Sequence, residues 1–165
     1  MLTPKQIPSP NYNERPEGEI SLLVIHNISL PPNEFGNHYI EQFFTNQLDF
    51  KAHPYFQTLK NLQVSAHLLI KRDGSVIQFV AFDKRAWHAG QSNFNGREDC
   101  NDFSIGIELE GADDIAYTDK QYKALNENIK TLKSQYPITT VVGHNDIAPG
   151  RKTDPGDAFD WSKII

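Results

Sequence analysis

Phe103-Ser104-Ile105-Gly106-Ile107-Glu108-Leu109-Glu110 alternates along its whole length. Ile105, Ile107 and Leu109 fall on one side of an extended chain, Glu108 and Glu110 on the other. A helix follows. Thr118-x-x-Gln121 has the form of a capping box, Tyr122, Leu125, Ile129, Leu132 and Tyr136 keep a helical rhythm, and Pro137 stops it. Thr139–Val142 is then a last strand. Strand, helix and strand in succession point to an α/β class. Upstream, the continuous apolar run Ser21–Asn27 predicts a buried strand. Ser65–Lys71 and Ser75–Val80 predict a hairpin through Arg72-Asp73-Gly74, where Asp and Gly both tolerate positive φ. Ile40, Phe43, Phe44 and Leu48 give residues 37–48 helical spacing. Asp49–Gln57 reads as an aromatic loop, Arg85–Cys100 as a long surface loop, and Asp160–Ile165 as the start of a closing helix. The expectation is one α/β domain over residues 1–165, a mixed central sheet of about five to six strands with flanking helices, and an extended N-terminal arm over residues 1–18.

Composition narrows the function. A chain of 165 residues is long enough for one core, and 38% hydrophobic with 22% charged residues is ordinary for a globular protein. A net charge of −5 argues against nucleic acid as a partner, because phosphate-backbone binders rely on Lys/Arg clusters. The first residues lack the apolar core of a signal peptide, and no run reaches the length of a membrane span, so no membrane partner is expected. The single cysteine, Cys100, excludes an internal disulfide and suits a reducing compartment. It reads as a buried small residue rather than a nucleophile, since no activating partner adjoins it. Cytoplasmic residence as a monomer is the expectation.

Chemistry concentrates at two strand ends. Ser21-Leu22-Leu23-Val24-Ile25 runs into His26, and Val141-Val142-Gly143 runs into His144. Of the six histidines (His26, His38, His53, His67, His88, His144), only these two close apolar runs. The Pro/Gly loop after His144 returns Lys152 and Asp154. Any one histidine is more often a surface or core residue than a ligand. His26, His144 and Asp154 together form a donor set for a catalytic zinc with one open position, although other divalent ions also suit it. Such a centre needs a proton acceptor. Glu108 and Glu110 are equal contenders by periodicity. Lys152 can stabilise an oxyanion or merely pair with Asp146 or Asp154. Trp87 can stack on a ligand or anchor a core.

Several blocks carry a more specific signal. His26-Asn27-Ile28-Ser29-Leu30-Pro31-Pro32, Ala52-His53-Pro54-Tyr55-Phe56, Val64-Ser65-Ala66-His67, Phe82-Asp83-Lys84-Arg85-Ala86-Trp87-His88-Ala89-Gly90, Cys100–Gly111 and Gly143–Gly156 occur in order. Over about Pro8 to Trp161 the chain resembles the AmpD-type 1,6-anhydro-N-acetylmuramoyl-L-alanine amidases. These are type 2 zinc amidases that share a fold with peptidoglycan recognition proteins. The resemblance implies one Zn2+ held by His26, His144 and Asp154, Glu108 rather than Glu110 as the residue that activates water, and Lys152 as the oxyanion stabiliser. It places Asn27, Tyr55, Ala86, Trp87 and His88 along the substrate groove. It also implies hydrolysis of the lactyl-amide bond of anhydro-muropeptides during cytoplasmic peptidoglycan recycling. Gln63 and Asp99 depart from arginines of close relatives that suit peptide carboxylates. The competing readings are a non-catalytic muropeptide-binding module and another zinc amidohydrolase.

Overall fold

The computed structural model describes residues 3–165. In chain order the strands are β1 (Lys5–Gln6), β2 (Tyr12–Glu14), β3 (Leu22–Ile28), β4 (Leu68–Ile70), β5 (Val76–Gln78), β6 (Lys84–Ala86), β7 (Asn93–Phe94), β8 (Arg97–Glu98), β9 (Ser104–Glu110) and β10 (Thr140–Gly143). The α-helices are α1 (Tyr39–Phe44), α2 (Asp119–Gln135) and α3 (His144–Ile147). Six strands form a mixed sheet in the order β1-β5-β4-β9-β3-β10, in which only β4 and β5 pair antiparallel.

All of β9 is buried, and its alternation separates two different environments. Ile105, Ile107 and Leu109, with Leu23 and Ile25 of β3, pack under Tyr122, Leu125, Ile129 and Leu132 of α2. The capping box starts α2 as expected: Thr118 Oγ1 accepts from Gln121 N at 3.1 Å, and Gln121 Oε1 accepts from Thr118 N at 3.1 Å. Such a cap is worth about 1 kcal/mol. The opposite face carries two separate apolar clusters, one around α1 with Phe56 and Leu69, the other around Leu22, Val24, Phe103 and Ile147. Between them runs a polar seam that includes His26, His67, His88, Ser104 and Glu108, all buried.

Five local expectations are corrected. The first helix ends at Phe44 because Asn46 adopts φ +60, and Leu48 enters the core beyond that turn. In the hairpin between β4 and β5 only Gly74 takes positive φ (+85). Residues 85–100 are not a surface loop. Their start belongs to β6, which pairs with β2 of the arm, and β7 and β8 form a hairpin across Asn95 (φ +51) and Gly96 (φ +86). Ala89 and Cys100 within this stretch are fully buried. The C-terminal helix is only a 3-10 turn, Trp161–Lys163, capped by Asp160 and ending in an extended Ile164. Residues 54–59, expected as loop, also form a 3-10 turn. The arm contributes two short strands, β1 at the sheet edge and β2 beside β6.

Candidate metal centre and active site

Three adjacent strands build the site. Register sets His26 of β3 against Glu108 of β9 and Ile25 against Gly143 of β10. His144, one residue further, therefore emerges beside His26. Gly143 N donates to Asp146 Oδ2 at 2.7 Å, which turns the chain from β10 into α3. A Cβ at Gly143 would lie 2.2 Å from Asn145 Oδ1 and 2.8 Å from Pro155 Cδ, so this corner requires glycine. The loop beyond α3 is tied back by Lys152 N to Ala148 O (3.0 Å) and Asn145 N to Asp154 O (3.0 Å), which returns Asp154 to the two histidines.

The donor atoms converge. His26 Nδ1 and His144 Nδ1 are 2.9 Å apart. Asp154 Oδ2 lies 3.3 Å from the first and 3.2 Å from the second. Four-coordinate bonds of about 2.0–2.1 Å imply donor separations of about 3.3 Å. His144 Nε2 donates to Ala89 O at 3.0 Å, since a carbonyl only accepts; the imidazole tautomer with its hydrogen on Nε2 presents a bare Nδ1 inward. Burial pulls His26 down to about 4, against the opposing effect of the nearby Asp154 carboxylate, so its imidazole is neutral at pH 7. Burial pushes Asp154 up, but the close approach of the His144 and His26 imidazoles outweighs it and holds the carboxyl below its usual range. Neutral imidazoles and an ionised carboxylate are the ligand forms a divalent cation needs. The donor set fits the ion.

Glu108 stands alongside. Burial, then the charge of Asp154, raises its pKa well above the carboxylate norm, with Lys152 opposing. Its Oε2 and Glu41 Oε2 are the buried side-chain oxygens without a hydrogen-bond partner among the described residues. Glu110, the equal contender by periodicity, is instead paired: Lys71 Nζ sits 2.9 Å from its Oε2 and also donates to Asn37 O at 2.7 Å. Geometry thus separates two carboxylates that periodicity could not.

A groove of about 630 Å3 is lined by His26, Glu108, Lys152 and Asp154, with Leu59 and Leu62 also on its wall. Tyr55 and Trp87 line it. Trp87 is held by a 3.0 Å hydrogen bond from its Nε1 to Asn13 Oδ1. Asn27 also borders the groove, with its amide donating to Asp113 Oδ1 (2.8 Å), Tyr117 Oη (3.0 Å) and Pro155 O (3.2 Å). It thereby steadies the residue next to Asp154. Ala86 is not brought to the groove: strand alternation turns its side chain into the α1 cluster, where it is fully buried. His88 touches the groove but lies 8% exposed behind His26, its Nδ1 2.9 Å from His26 Nε2. Gln63 and Asp99 are exposed and lie outside this groove.

Four residues of the surroundings were missed. His67 accepts from Gly106 N at 3.1 Å through Nδ1, so its Nε2 is the N–H that donates to Lys84 O at 2.9 Å. Arg15 donates to Phe82 O, Asn101 O, Asp102 O and Ser104 O at 2.8–3.2 Å, pinning the arm beneath the site. Ser104 and Asn101 hold His88. The available signal was parity: Ser104, Gly106, Glu108 and Glu110 are small or polar on one side of a strand whose other side is aliphatic.

Known proteins match this arrangement. The sequence profile of the N-acetylmuramoyl-L-alanine amidase family matches residues 16–157. The chain is 57% identical over 167 residues to the 1,6-anhydro-N-acetylmuramyl-L-alanine amidase AmpD of Salmonella typhimurium (strain SL1344), covering 99% of this chain and 89% of that one. A crystal structure of a selenomethionine AmpD derivative superposes with a TM-score of 0.97 at 55% identity, covering 99% of this chain and 93% of that one. AmiD from E. coli, in complex with anhydro-N-acetylmuramic acid-L-Ala-D-gamma-Glu-L-Lys as substrate, superposes at 0.63 with 32% identity, over 87% of this chain and 55% of that one. With this sheet, this groove and these donor atoms, the chain belongs to the N-acetylmuramoyl-L-alanine amidases, and among them to the AmpD type.

Proposed function

We propose that this chain is a zinc enzyme that hydrolyses the amide between the lactyl group of (1,6-anhydro-)N-acetylmuramic acid and L-alanine in cell-wall muropeptides. One observation carries the reading: two imidazole Nδ1 atoms and a carboxylate oxygen meet within 3.3 Å beside a buried, unpartnered carboxylate. Kinship supports the substrate. Relatives of this length bear the name of that amidase, and AmiD holds an anhydro-muropeptide.

His26, His144 and Asp154 hold the ion. When bound, a divalent cation there polarises the scissile carbonyl and acidifies water. Glu108 takes a proton from the attacking water as its oxygen bonds to the carbonyl carbon. Burial lifts the proton affinity of that carboxylate, which suits it first to accept the proton and then to return it. Lys152 presents its ammonium to the oxyanion that develops on the carbonyl oxygen. As the C–N bond breaks, Glu108 delivers its proton to the leaving nitrogen of L-alanine. The products are the lactyl carboxylate and the free amino group of the peptide. Asn27, Tyr55, Trp87 and the groove wall orient the muropeptide.

We place the enzyme in the cytoplasm as a monomer with one zinc, in recycling of wall fragments. The free, buried Cys100 agrees with a reducing compartment. Among the described residues no helix is long and apolar enough to cross a membrane. Mass spectrometry of an anhydro-muropeptide incubated with the protein tests the reaction. Expected is one cleavage releasing L-alanyl peptide, lost on chelation and restored by zinc. Undiminished cleavage by rigorously metal-free protein overturns the metal role, and release of acetate instead of peptide overturns the substrate bond.

A further inference from the structure

One dipeptide touches both histidines of the centre. His88 Nδ1 lies 2.9 Å from His26 Nε2, and Ala89 O lies 3.0 Å from His144 Nε2. The dipeptide hangs from one atom: His88 N and Ala89 N both donate to Asn101 Oδ1, at 3.1 and 2.8 Å.

The proton positions follow from one fixed end. Ser104 Oγ is 2.5 Å from Cys100 O, a carbonyl that can only accept, so the hydroxyl proton points there. Toward His88 Nε2, 3.2 Å away, Ser104 Oγ is then the acceptor, and that nitrogen carries the hydrogen. A neutral His88 has a bare Nδ1, which accepts from His26 Nε2. His26 is left with a bare Nδ1, the atom that faces His144 Nδ1 and Asp154 Oδ2. Glycine makes the room: a Cβ at Gly106 would lie 2.4 Å from His88 Cγ.

We propose that His88 is a positioning residue of the metal centre, locked by Ser104 and the Cys100 carbonyl so that His26 is held with Nε2 protonated and Nδ1 free to coordinate. This reassigns His88 from holding substrate to holding a ligand, and it rests on the metal reading above. Outer partners of this kind typically change metal affinity by about 10–100-fold.

The test has two readouts. In metal-free wild-type protein labelled with 15N-histidine, NMR is expected to show His26 and His88 both protonated at Nε2; a proton on His26 Nδ1 overturns the proposal. Zinc affinity is then measured by competition with a chromophoric chelator in Ser104→Ala and His88→Phe, with circular dichroism as the check on folding. Expected is about 10–100-fold weaker zinc binding. For Ser104→Ala, turnover lost at limiting zinc is expected to return at excess zinc with KM unchanged. Unchanged zinc affinity with a raised KM returns His88 to the substrate groove and overturns the proposal. If His88→Phe fails to fold, Ser104→Ala decides. If wild-type protein binds no zinc, the metal reading fails, and the tautomer spectrum alone decides the relay.

Discussion

His26 Nδ1 and His144 Nδ1 face each other at 2.9 Å with their opposite nitrogens already engaged, by His88 and by the Ala89 carbonyl. Two lone pairs and the Asp154 carboxylate therefore repel one another until a cation lies among them. Zinc added to chelator-treated protein is expected to raise the thermal midpoint. The gain approaches about 4 kcal/mol at a thousandfold excess over Kd. Calorimetry measures it, and Asp154→Ala is expected to abolish most of the zinc-dependent shift.

Glu108→Gln is expected to separate stability from turnover. The folded-state pKa of Glu108 is raised, chiefly by burial. The unfolded chain therefore binds fewer protons at this position above about pH 4.5, and the folded state loses stability as pH rises from there. A glutamine carries no charge to desolvate. At pH 7 the metal-free variant is expected to be more stable by on the order of 1 kcal/mol, while kcat falls about 10^2–10^4-fold for want of the proton acceptor. Denaturant titration and single-turnover kinetics read the two effects. A variant that is less stable, yet active, would assign Glu108 a structural role.

Lys152 is exposed and lines the groove. Lys152→Ala is expected to lower kcat by about 10^2–10^3-fold, the usual loss for one oxyanion-stabilising group. Zinc content should stay at one per chain, and stability within about 0.5 kcal/mol of the parent. Elemental analysis beside steady-state kinetics checks this.

His67 contributes to acid sensitivity. Burial, then the neighbouring Arg15, pulls it to about 3. Below about pH 6.5 the unfolded chain protonates this histidine while the folded chain does not, so stability falls with falling pH down to about 3. The slope from this residue is at most about 1.4 kcal/mol per pH unit. His67→Gln is expected to flatten the acid limb between pH 6 and about 4 and to cost stability at pH 7, since its bonds to Gly106 and Lys84 are lost. Thermal melts across that range read both.

Part of the site was readable because its histidines close apolar runs of the sequence. His26 and His144 each end a β-branched or aliphatic run, and a short Pro/Gly loop limits how far Asp154 can stray. Glu108 against Glu110 was not decidable from spacing, since both point to the same side of β9. The difference is Lys71, which reaches Glu110 from the β4–β5 hairpin, a contact visible only in three dimensions. The hairpin within residues 85–100 escaped notice because its strands are two residues long, although Asn95-Gly96 is a recognised turn pair. Ala86 adjoins Trp87 in sequence, so the resemblance puts both in the groove; pleating sends neighbouring side chains to opposite sides, and only the pairing of β6 with β2 settles which side is which.

The parallel register of β3 against β9 also limits how this protein can change. Loops at the groove mouth can lengthen or shrink without moving His26 relative to Glu108. Deleting a single residue between Leu22 and Ile25 would swing the imidazole through the sheet to lie beneath α2, among leucines and isoleucines. Evolutionary or engineered variation in substrate choice must therefore come from the loops and leave the length of this segment untouched.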